Sequence, residues 1–593
     1  MENFKNTCLK ITSRGVLIKE TFPGSGLFYV RGISMSKTGF ALLSVLFCLS
    51  LSGKSAFAQS NKQPSTVVNT VEAEKWREDL RYMADEMPKQ HRNLSHTMTR
   101  EQFAGAVKRL DERIPSLSRH QIIVEMARIV AMVGDGHTNI APTRDPKIAF
   151  RAYPVRLYLF KDGLYVRAAT RDYASLVGTR IVRIGNASVE QAYRAVRELI
   201  GRDNEMDVKF FAAHLLVMPE VLQACGLIDD MESAKFTVET QGRPQEIRLK
   251  PMGPAEMMPP DTDLSWITKP GWIDARGTPA QIPLWLKDPQ NKFWFEYLPD
   301  SKTVYVQFNQ VGNKDDETIE AFAKRLFTFV DANQVEKMVL DLRLNRGGNG
   351  EFNRPLILGI IKTGKIDQKG RLFTLIGRST WSAAQFLVNE LEKYTNTIFV
   401  GEPTGGKINS YGDSRKITLP NSGITVRVST LWHQGGDERD KRQWTAPGIA
   451  ADLGFDDYRA NKDPALSAAL NYVPTPSLKE ILLEAWSAND PTTVVKRFGE
   501  WRADPANAYI NAEPRLISLG YELMARKRVD QAIEIFKLAV SAFPESANAY
   551  DSLGEAYQAA GQTELAIKNY EKALELDPGM ISSIEALKKL RGK

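Results

Sequence analysis

The chain has 593 residues, 43% of them hydrophobic and 25% charged, with three cysteines; this is ordinary globular material, long enough for three or four domains and several buried cores. Its formal charge of +7 is small for that length. Apart from the short Lys-Lys-Leu-Arg-Gly-Lys end, no basic block with interleaved aromatics appears, which removes support for nucleic-acid binding.

Near the start, Phe40 to Ser52 (F-A-L-L-S-V-L-F-C-L-S-L-S) has the length of a secretory apolar region and is short for a membrane span. Ala56-Phe57-Ala58 then places small residues where a signal peptidase reads. Residues 1–58 are therefore expected to be a signal peptide with a misplaced start, Met35 being the expected initiator. The mature chain is expected to begin at Gln59, to carry no transmembrane segment, and to be exported to a periplasmic or extracellular space. A lipoprotein anchored at Cys48 and an uncleaved anchor are the rival readings. Only Cys225 would remain, so no internal disulfide can form. It lies in the apolar stretch V-L-Q-A-C-G-L-I, as a buried cysteine rather than a catalytic thiol would.

Residues 59–145 show helical spacing at Trp76, Leu80, Met83 and Met87, at Phe103, Val107 and Leu110, and at Ile122, Met126 and Ile129, which predicts a helical N-terminal domain. It ends in a glycine-bounded turn, V-G-D-G-H-T-N-I. Residues 150–252 form a small strand-rich module, with strands at Val155–Phe160, Gly163–Ala168, Ile181–Ile184 and Phe236–Leu249 and a helix near Val189–Ile200. Residues 253–290 hold Pro, Gly and Trp without periodicity and read as a linker. Strands alternate with helices over 291–475, as an α/β core requires. A helical connector, 476–511, leads to a repeated tail, 512–593: Gly520 and Gly554, Ala532 and Ala566, and Pro544 and Pro578 are each 34 residues apart. The second copy, A-Y-D-S-L-G-E-A-Y-Q-A-A-G-Q-T-E-L-A-I-K-N-Y-E-K-A-L-E-L-D-P, resembles the tetratricopeptide consensus over its whole length. Two copies rarely fold alone, so flanking helices must cap them, and their concave polar face could bind a protein partner.

Two stretches of the α/β core carry chemistry. In M-V-L-D-L-R-L-N-R-G-G-N-G, Met338 to Gly350, a buried-strand pattern runs into paired glycines. Such glycines let backbone amides approach a ligand and hold charge that develops in a transition state; by itself the pair is also a tight turn. In R-S-T-W-S-A-A-Q-F, Arg378 to Phe386, three hydroxyls crowd a strand-to-helix junction. One of Ser379 or Thr380 would suffice as a helix cap, which leaves Ser382 surplus at a helix N-terminus that favours negative charge. No H-E-x-x-H motif and no G-x-x-x-x-G-K-[ST] loop appears, so zinc and nucleotide chemistry lack support and no cofactor or metal is needed.

L-D-L-R-L-N-R-G-G, S-T-W-S-A-A-Q-F and V-G-E-P-T-G-G-K resemble, in order and spacing, the core of the C-terminal processing (tail-specific) serine peptidases and their tricorn-like relatives. The resemblance spans about residues 75 to 470. It implies a crotonase/ClpP-like α/β peptidase core, Ser382 as nucleophile, and oxyanion amides at Gly347 or Gly348 and at Ala383. It also implies that residues 150–252, with L-V-G-T-R-I-V-R-I-G-N, are a divergent PDZ-like module, although the peptide-binding Gly-Leu-Gly-Phe-like loop is not evident.

Two residues compete for the base. The processing-peptidase branch uses a lysine 25 residues after the nucleophile, the position of Lys407. Such a lysine must be neutral, its pKa lowered from about 10.4 to about 7–8, and Asp413 nearby in sequence opposes this. The tricorn-like branch uses a histidine from a D-G-H-T/S turn, which here is His137, a side chain that needs little tuning. That branch orients its histidine with an acid about 58 residues after the serine, here Asp440, with Asp437 and Glu438 as neighbours that could substitute.

The expected protein is thus a multidomain α/β serine endopeptidase acting on peptides or proteins through an acyl-enzyme at Ser382. The alternatives are a non-catalytic binding protein on a peptidase scaffold, docking partners through its tail, and an esterase using the same nucleophile.

Overall fold

The computed structural model describes residues 8–12, 15–19, 67–253, 266, 270–277, 282–486 and 490–592. The expected signal region, with Met35, Phe40–Ser52 and Ala56–Ala58, lies outside the described residues. Residues 1–65 and 66–593 form two units. In the first, Cys8–Thr12 and Gly15–Lys19 pair as an antiparallel hairpin.

In the second unit, three helices lead: α1 (Thr70–Gln90), α2 (Arg100–Arg113) and α3 (Arg119–Ala131). Each starts on a reciprocal cap, Asn69 with Glu72, Thr99 with Gln102 and Ser118 with Gln121, which satisfies amides the helix cannot. The stripe Ala73, Trp76, Leu80, Met83 and Met87 is buried as its spacing requires. The strands β1 (Val155–Phe160), β2 (Gly163–Thr170), β3 (Arg180–Ile184), β4 (Ala234–Thr240) and β5 (Arg243–Leu249) form one sheet in chain order. Between β3 and β4 run α4 (Val189–Arg197), α5 (Glu205–Leu215) and α6 (Pro219–Ala224). The expected single strand over Phe236–Leu249 is instead a hairpin, because Gln241 and Gly242 both take positive φ and turn the chain. One apolar core runs without a break from α1 through this sheet to Leu249.

Where described, the stretch expected to be a linker is packed rather than loose. Trp272–Asp274 adds a strand to β2, and Trp266, Trp285 and Leu286 are buried with Phe160, Leu344, Phe455 and Tyr458. Aromatic burial outweighs the lack of periodicity, since these rings bury large areas without regular structure.

The α/β core is a six-stranded sheet in the order β6 (Phe293–Leu298), β7 (Thr303–Phe308), β8 (Lys337–Asp341), β9 (Leu372–Ile376), β10 (Ile398–Gly401), β13 (Ile449–Ala450). β6 is antiparallel to β7 and every later pairing is parallel. The crossover helices α7 (Ile319–Ala332), α8 (Arg354–Lys362) and α9 (Ala383–Tyr394) cover the face carrying Val306, Leu340 and Ile376. The opposite face, with Tyr305, Val339 and Phe373, packs on Ala465, Leu466 and Ala469 of a short helix, Pro464–Leu470. Both faces are covered, so β7 and β9 are buried throughout. A long antiparallel hairpin, β11 (Asn409–Thr418) and β12 (Thr425–Gln434), leaves this sheet, and its far end (Ile417, Leu419, Ile424, Val426, Val428) enters the N-terminal core.

The tail comprises helices Leu478–Trp486, Pro491–Ala503, Glu513–Ala525, Val529–Ala542, Ala547–Ala559, Thr563–Leu576 and Ile581–Leu590. Leu478, Leu482, Val494 and Phe498 of the first two join the core of the repeats, so the connector supplies one cap. Among the described residues no helix is long and apolar enough to cross a membrane.

Two helical glycines, one in the connector and one in the repeats, set a stability test. Gly499 lies exposed in its helix with nothing within 4 Å of where a Cβ would stand, whereas a Cβ on Gly520 would enter the Phe536 ring. Gly499→Ala should therefore gain about 0.5–1 kcal/mol. Gly520→Ala should lose about 1–3 kcal/mol, because overpacking outweighs propensity. Urea denaturation followed by circular dichroism reads both, and equal effects would refute the packing of these helices.

Candidate active site

β9 delivers the junction. Thr380 does not cap the following helix. Its Oγ1 accepts from the Gly377 amide at 3.1 Å and donates to the Leu342 carbonyl at 2.9 Å, tying the end of β9 to that of β8. Ser382 stands at the N-cap position of α9 but makes no capping bond, and its backbone has φ 57° and ψ −126°. A non-glycine residue in that region costs on the order of 1–3 kcal/mol. The surroundings impose it, since the Trp381 amide is held by the Asn345 carbonyl at 3.1 Å. The strained turn exposes the hydroxyl above the sheet.

Asn345, fully buried, builds the glycine turn. Its side chain donates to the Phe308 carbonyl at 2.8 Å and accepts from the Gly347 amide at 2.9 Å. Gly347 has φ +97° and Gly348 φ +142°. A Cβ on Gly347 would lie 2.7 Å from the Ser382 Cβ and 2.8 Å from the Ala383 nitrogen, so only glycine allows this approach. Because the Gly347 amide is spent on Asn345, the amides of Gly348 and Ala383 are the pair left over. Among the described residues neither has a hydrogen-bond acceptor.

His137 arrives from the end of the helical region. Asp135 accepts from the amides of His137 at 3.0 Å and Thr138 at 2.8 Å, from the Ser429 hydroxyl at 2.6 Å, and pairs with His91 at 3.0 Å. The Asn139 and Arg427 backbones exchange two hydrogen bonds. This fixes the turn on the edge of β12 and brings His137 Nε2 to 3.1 Å from the Ser382 hydroxyl. The Trp381 ring stacks on the imidazole with centroids 3.9 Å apart. His137 Nδ1 is buried and has no hydrogen-bond partner among the described residues. Burial, helped by the charges of Arg346 and His433 and opposed by Asp135 and Asp413, pushes its pKa down to about 4. At neutral pH the ring is therefore in its base form.

The other expected site residues are elsewhere. Lys407, half-buried, makes no hydrogen bond to Ser382; it lines a cleft with Arg202, Asp203, Gln443 and Trp444. Asp440 is not an orienting acid in this arrangement. Its carboxylate takes a hydrogen bond from Arg442 at 2.8 Å, which holds its pKa down, and Arg442 reaches on to Glu392. Asp437 is likewise engaged by Arg439 at the surface. The reason is local: an arginine two residues after each acid satisfies it before it can reach the imidazole. The sequence reading missed Trp381, Asp135 and Asp203, and it missed α5, whose N-terminus was marked by Asn204, a side chain that accepts from the Met206 amide.

Asp413 has φ +50° and meets His433 at 2.7 Å. A Cβ on Gly412 would lie 3.1 Å from the His433 ring and 3.7 Å from His137 Cε1, so the His433–Asp413 pair borders the His137 imidazole. Separately, a cavity of about 150 Å³ lies between sheet and module, lined among others by Tyr158, Phe210, Trp266, Trp285 and Ser379. Neither Ser382 nor His137 lines it.

Residues 547–580 match the tetratricopeptide repeat family. No curated protein matches the chain. Among solved structures, mature CPAF complexed with lactacystin is 12% identical, with 68% of this chain and 100% of that one covered at a TM-score of 0.47. The photosystem II D1 C-terminal processing protease is 15% identical over 65% of this chain and 93% of its own, at 0.30. The first tetratricopeptide domain of human RPAP3 is 24% identical over 19% of this chain and 87% of its own, at 0.15.

Nuclear magnetic resonance of histidine-labelled protein checks the electrostatics. The His137 ring should stay neutral as pH falls through the ordinary imidazole value near 6.5 and titrate near pH 4. A midpoint at or above 6.5 would show that the ring is not desolvated as the geometry requires.

Proposed function

We propose that the protein is a serine endopeptidase in which Ser382 is the nucleophile and His137 the general base. The observation that carries this reading is Ser382, held at φ 57° with its hydroxyl 3.1 Å from His137 Nε2. Strain of this kind is maintained only where surroundings impose it, and it clusters at working sites. The hydroxyl oxygen attacks the scissile carbonyl while Nε2 takes its proton. The oxyanion is received by the Gly348 and Ala383 amides, at the N-terminus of α9, whose dipole favours negative charge. The tetrahedral adduct collapses as the protonated imidazole gives its proton to the leaving amine. Water, deprotonated by the same nitrogen, then releases the acyl group.

The choice of His137 over Lys407 follows from geometry before electrostatics, since a base must reach the proton it takes. Export also belongs to the reading, supported by the apolar run Phe40–Ser52 and the small residues that follow it. The tetratricopeptide tail would dock a protein partner on its concave face.

One observation favours a second reading. Without a carboxylate on Nδ1, the imidazolium formed during attack is poorly supported, which suits esters with good leaving groups better than amides. A fluorophosphonate probe and paired peptide and ester substrates separate the two. Ser382→Ala should abolish labelling, His137→Ala should lower its rate about 10³-fold or more, and Lys407→Arg should leave it within about threefold. Labelling that persists in Ser382→Ala removes the nucleophile; ester turnover without any peptide cleavage favours the second reading. Because protonated His137 cannot act as base and its pKa is lowered, activity should rise with pH well below neutrality and be level from about pH 6 upward.

A further inference from the structure

We infer that Asp203, in the strand-rich module, is the residue that positions the base histidine, acting through Trp381 on one side and Gly136 on the other. The inference rests on the assignment of His137 and Ser382 made above. Asp203 stands just before α5, and its side chain reaches both segments that meet at the site. One carboxylate oxygen accepts from the Gly136 amide at 3.0 Å, and the other accepts from Trp381 Nε1 at 2.9 Å. Gly136 precedes the histidine and Trp381 precedes the serine. Trp381 lies flat on the His137 ring, 3.9 Å between centroids and 20° between planes. One buried carboxylate therefore fixes the backbone that carries the imidazole and the indole that packs against it.

This arrangement answers a need the site has. In serine hydrolases a carboxylate on Nδ1 normally sets the orientation and tautomer of the imidazole, and here Nδ1 has no partner among the described residues. Without that bond the ring's rotation must be limited by packing, and a stacked indole does so only if it cannot itself swing. Trp381 cannot, because its ring nitrogen is tethered to Asp203 and its amide to Asn345. Gly136 adds a steric limit: a Cβ there would lie 3.0 Å from both the Trp381 ring and an Asp207 oxygen. Asp203 is 4% exposed and Asp207 fully buried, so the tether is shielded from competing water. Burial raises the pKa of both acids, Asp207 further through the charge of Asp203. The groups whose charges act on them are Asp135, Lys407 and Arg346.

Neither acid touches a reacting atom, so Asp203 is a positioning residue. Asp203→Asn keeps the size but offers one acceptor oxygen for two donors, and Trp381→Phe keeps a stacking ring but drops the tether. Each should lower kcat for ester or peptide, or the rate of fluorophosphonate labelling, about 10- to 100-fold while KM stays within about twofold, as for a misplaced catalytic group. If Asp203 acts through Trp381, the double variant should be no slower than the slower single one. In both variants the His137 titration should move up toward the ordinary imidazole value, because a loosened ring regains water. That magnetic-resonance readout does not need activity, so it distinguishes failure of this inference from failure of the peptidase reading. Folded Asp203→Asn with wild-type labelling and an unmoved His137 titration overturns it. So does an additive double variant. Should Asp203→Asn fail to fold, Trp381→Phe alone decides through the same two measurements.

Discussion

The geometry of the site depends on one buried carboxylate, Asp135. Burial by itself would raise its pKa, yet hydrogen bonds from His91, Ser429 and Thr138 lower it, so it is an anion in a water-poor place. Its four donors come from α1's C-terminal end, from the histidine turn and from β12. A buried charge stripped of a partner costs about 3–5 kcal/mol, which makes this junction strongly directional: the turn either docks on the hairpin or leaves the charge stranded. The hairpin in turn grows from the α/β core that carries Ser382. Asp135 is thus the physical link by which His137, at the end of a helical region, is held in register with a serine 245 residues further on.

The second constraint is strain, and it works in the opposite direction. Ser382 at φ 57° is unfavourable by itself. It persists because β9 is buried on both faces, Thr380 is bonded to two neighbouring segments, and Asn345 holds the Trp381 amide. Rigid scaffolding around a strained residue holds the hydroxyl facing the His137 imidazole, which is the preorganisation that the proposed acyl transfer would require. The same scaffold leaves His137 Nδ1 without a hydrogen-bond partner among the described residues, and the Trp381 ring stacks on the imidazole.

The tail follows different rules. Its helices repeat at 34 residues, and the two helices of each pair approach closely at small residues, Gly520 against Phe536 and Gly554 against Tyr570. Among the described residues its hydrogen bond to the core runs from the Tyr509 hydroxyl to Asp452 at 2.8 Å, and none reaches a residue of the site. Order in a repeat array comes from nearest-neighbour stacking, so the tail can carry a partner-binding face without bearing on the geometry of Ser382.

Much of this was legible in the residues. The helical stripes of α1 to α3, the alternation of strand and helix in the core, and the repeat period are local patterns, set by 3.6-residue and two-residue periodicities that any window of the chain displays. Ser382 stood out as a hydroxyl left over after capping, whereas in the fold it is Ser382 that occupies the N-cap position, without a capping bond, while Thr380 ties two strand ends together; the glycine pair stood out as well. What the residues could not decide was which distant groups meet. His137 and Lys407 were both chemically credible bases, and only the docking of the Asp135 turn on β12 brings one of them to the hydroxyl. Asp440 had the right spacing and the wrong neighbour, since Arg442, two residues on, captures it. Trp381 and Asp203 left no sequence signal as a pair, being 178 residues apart. Periodicity and capping are properties of neighbours along the chain and are written there. A catalytic contact is a property of neighbours in space, and it exists only once burial, strain and hydrogen bonding have chosen a single packing.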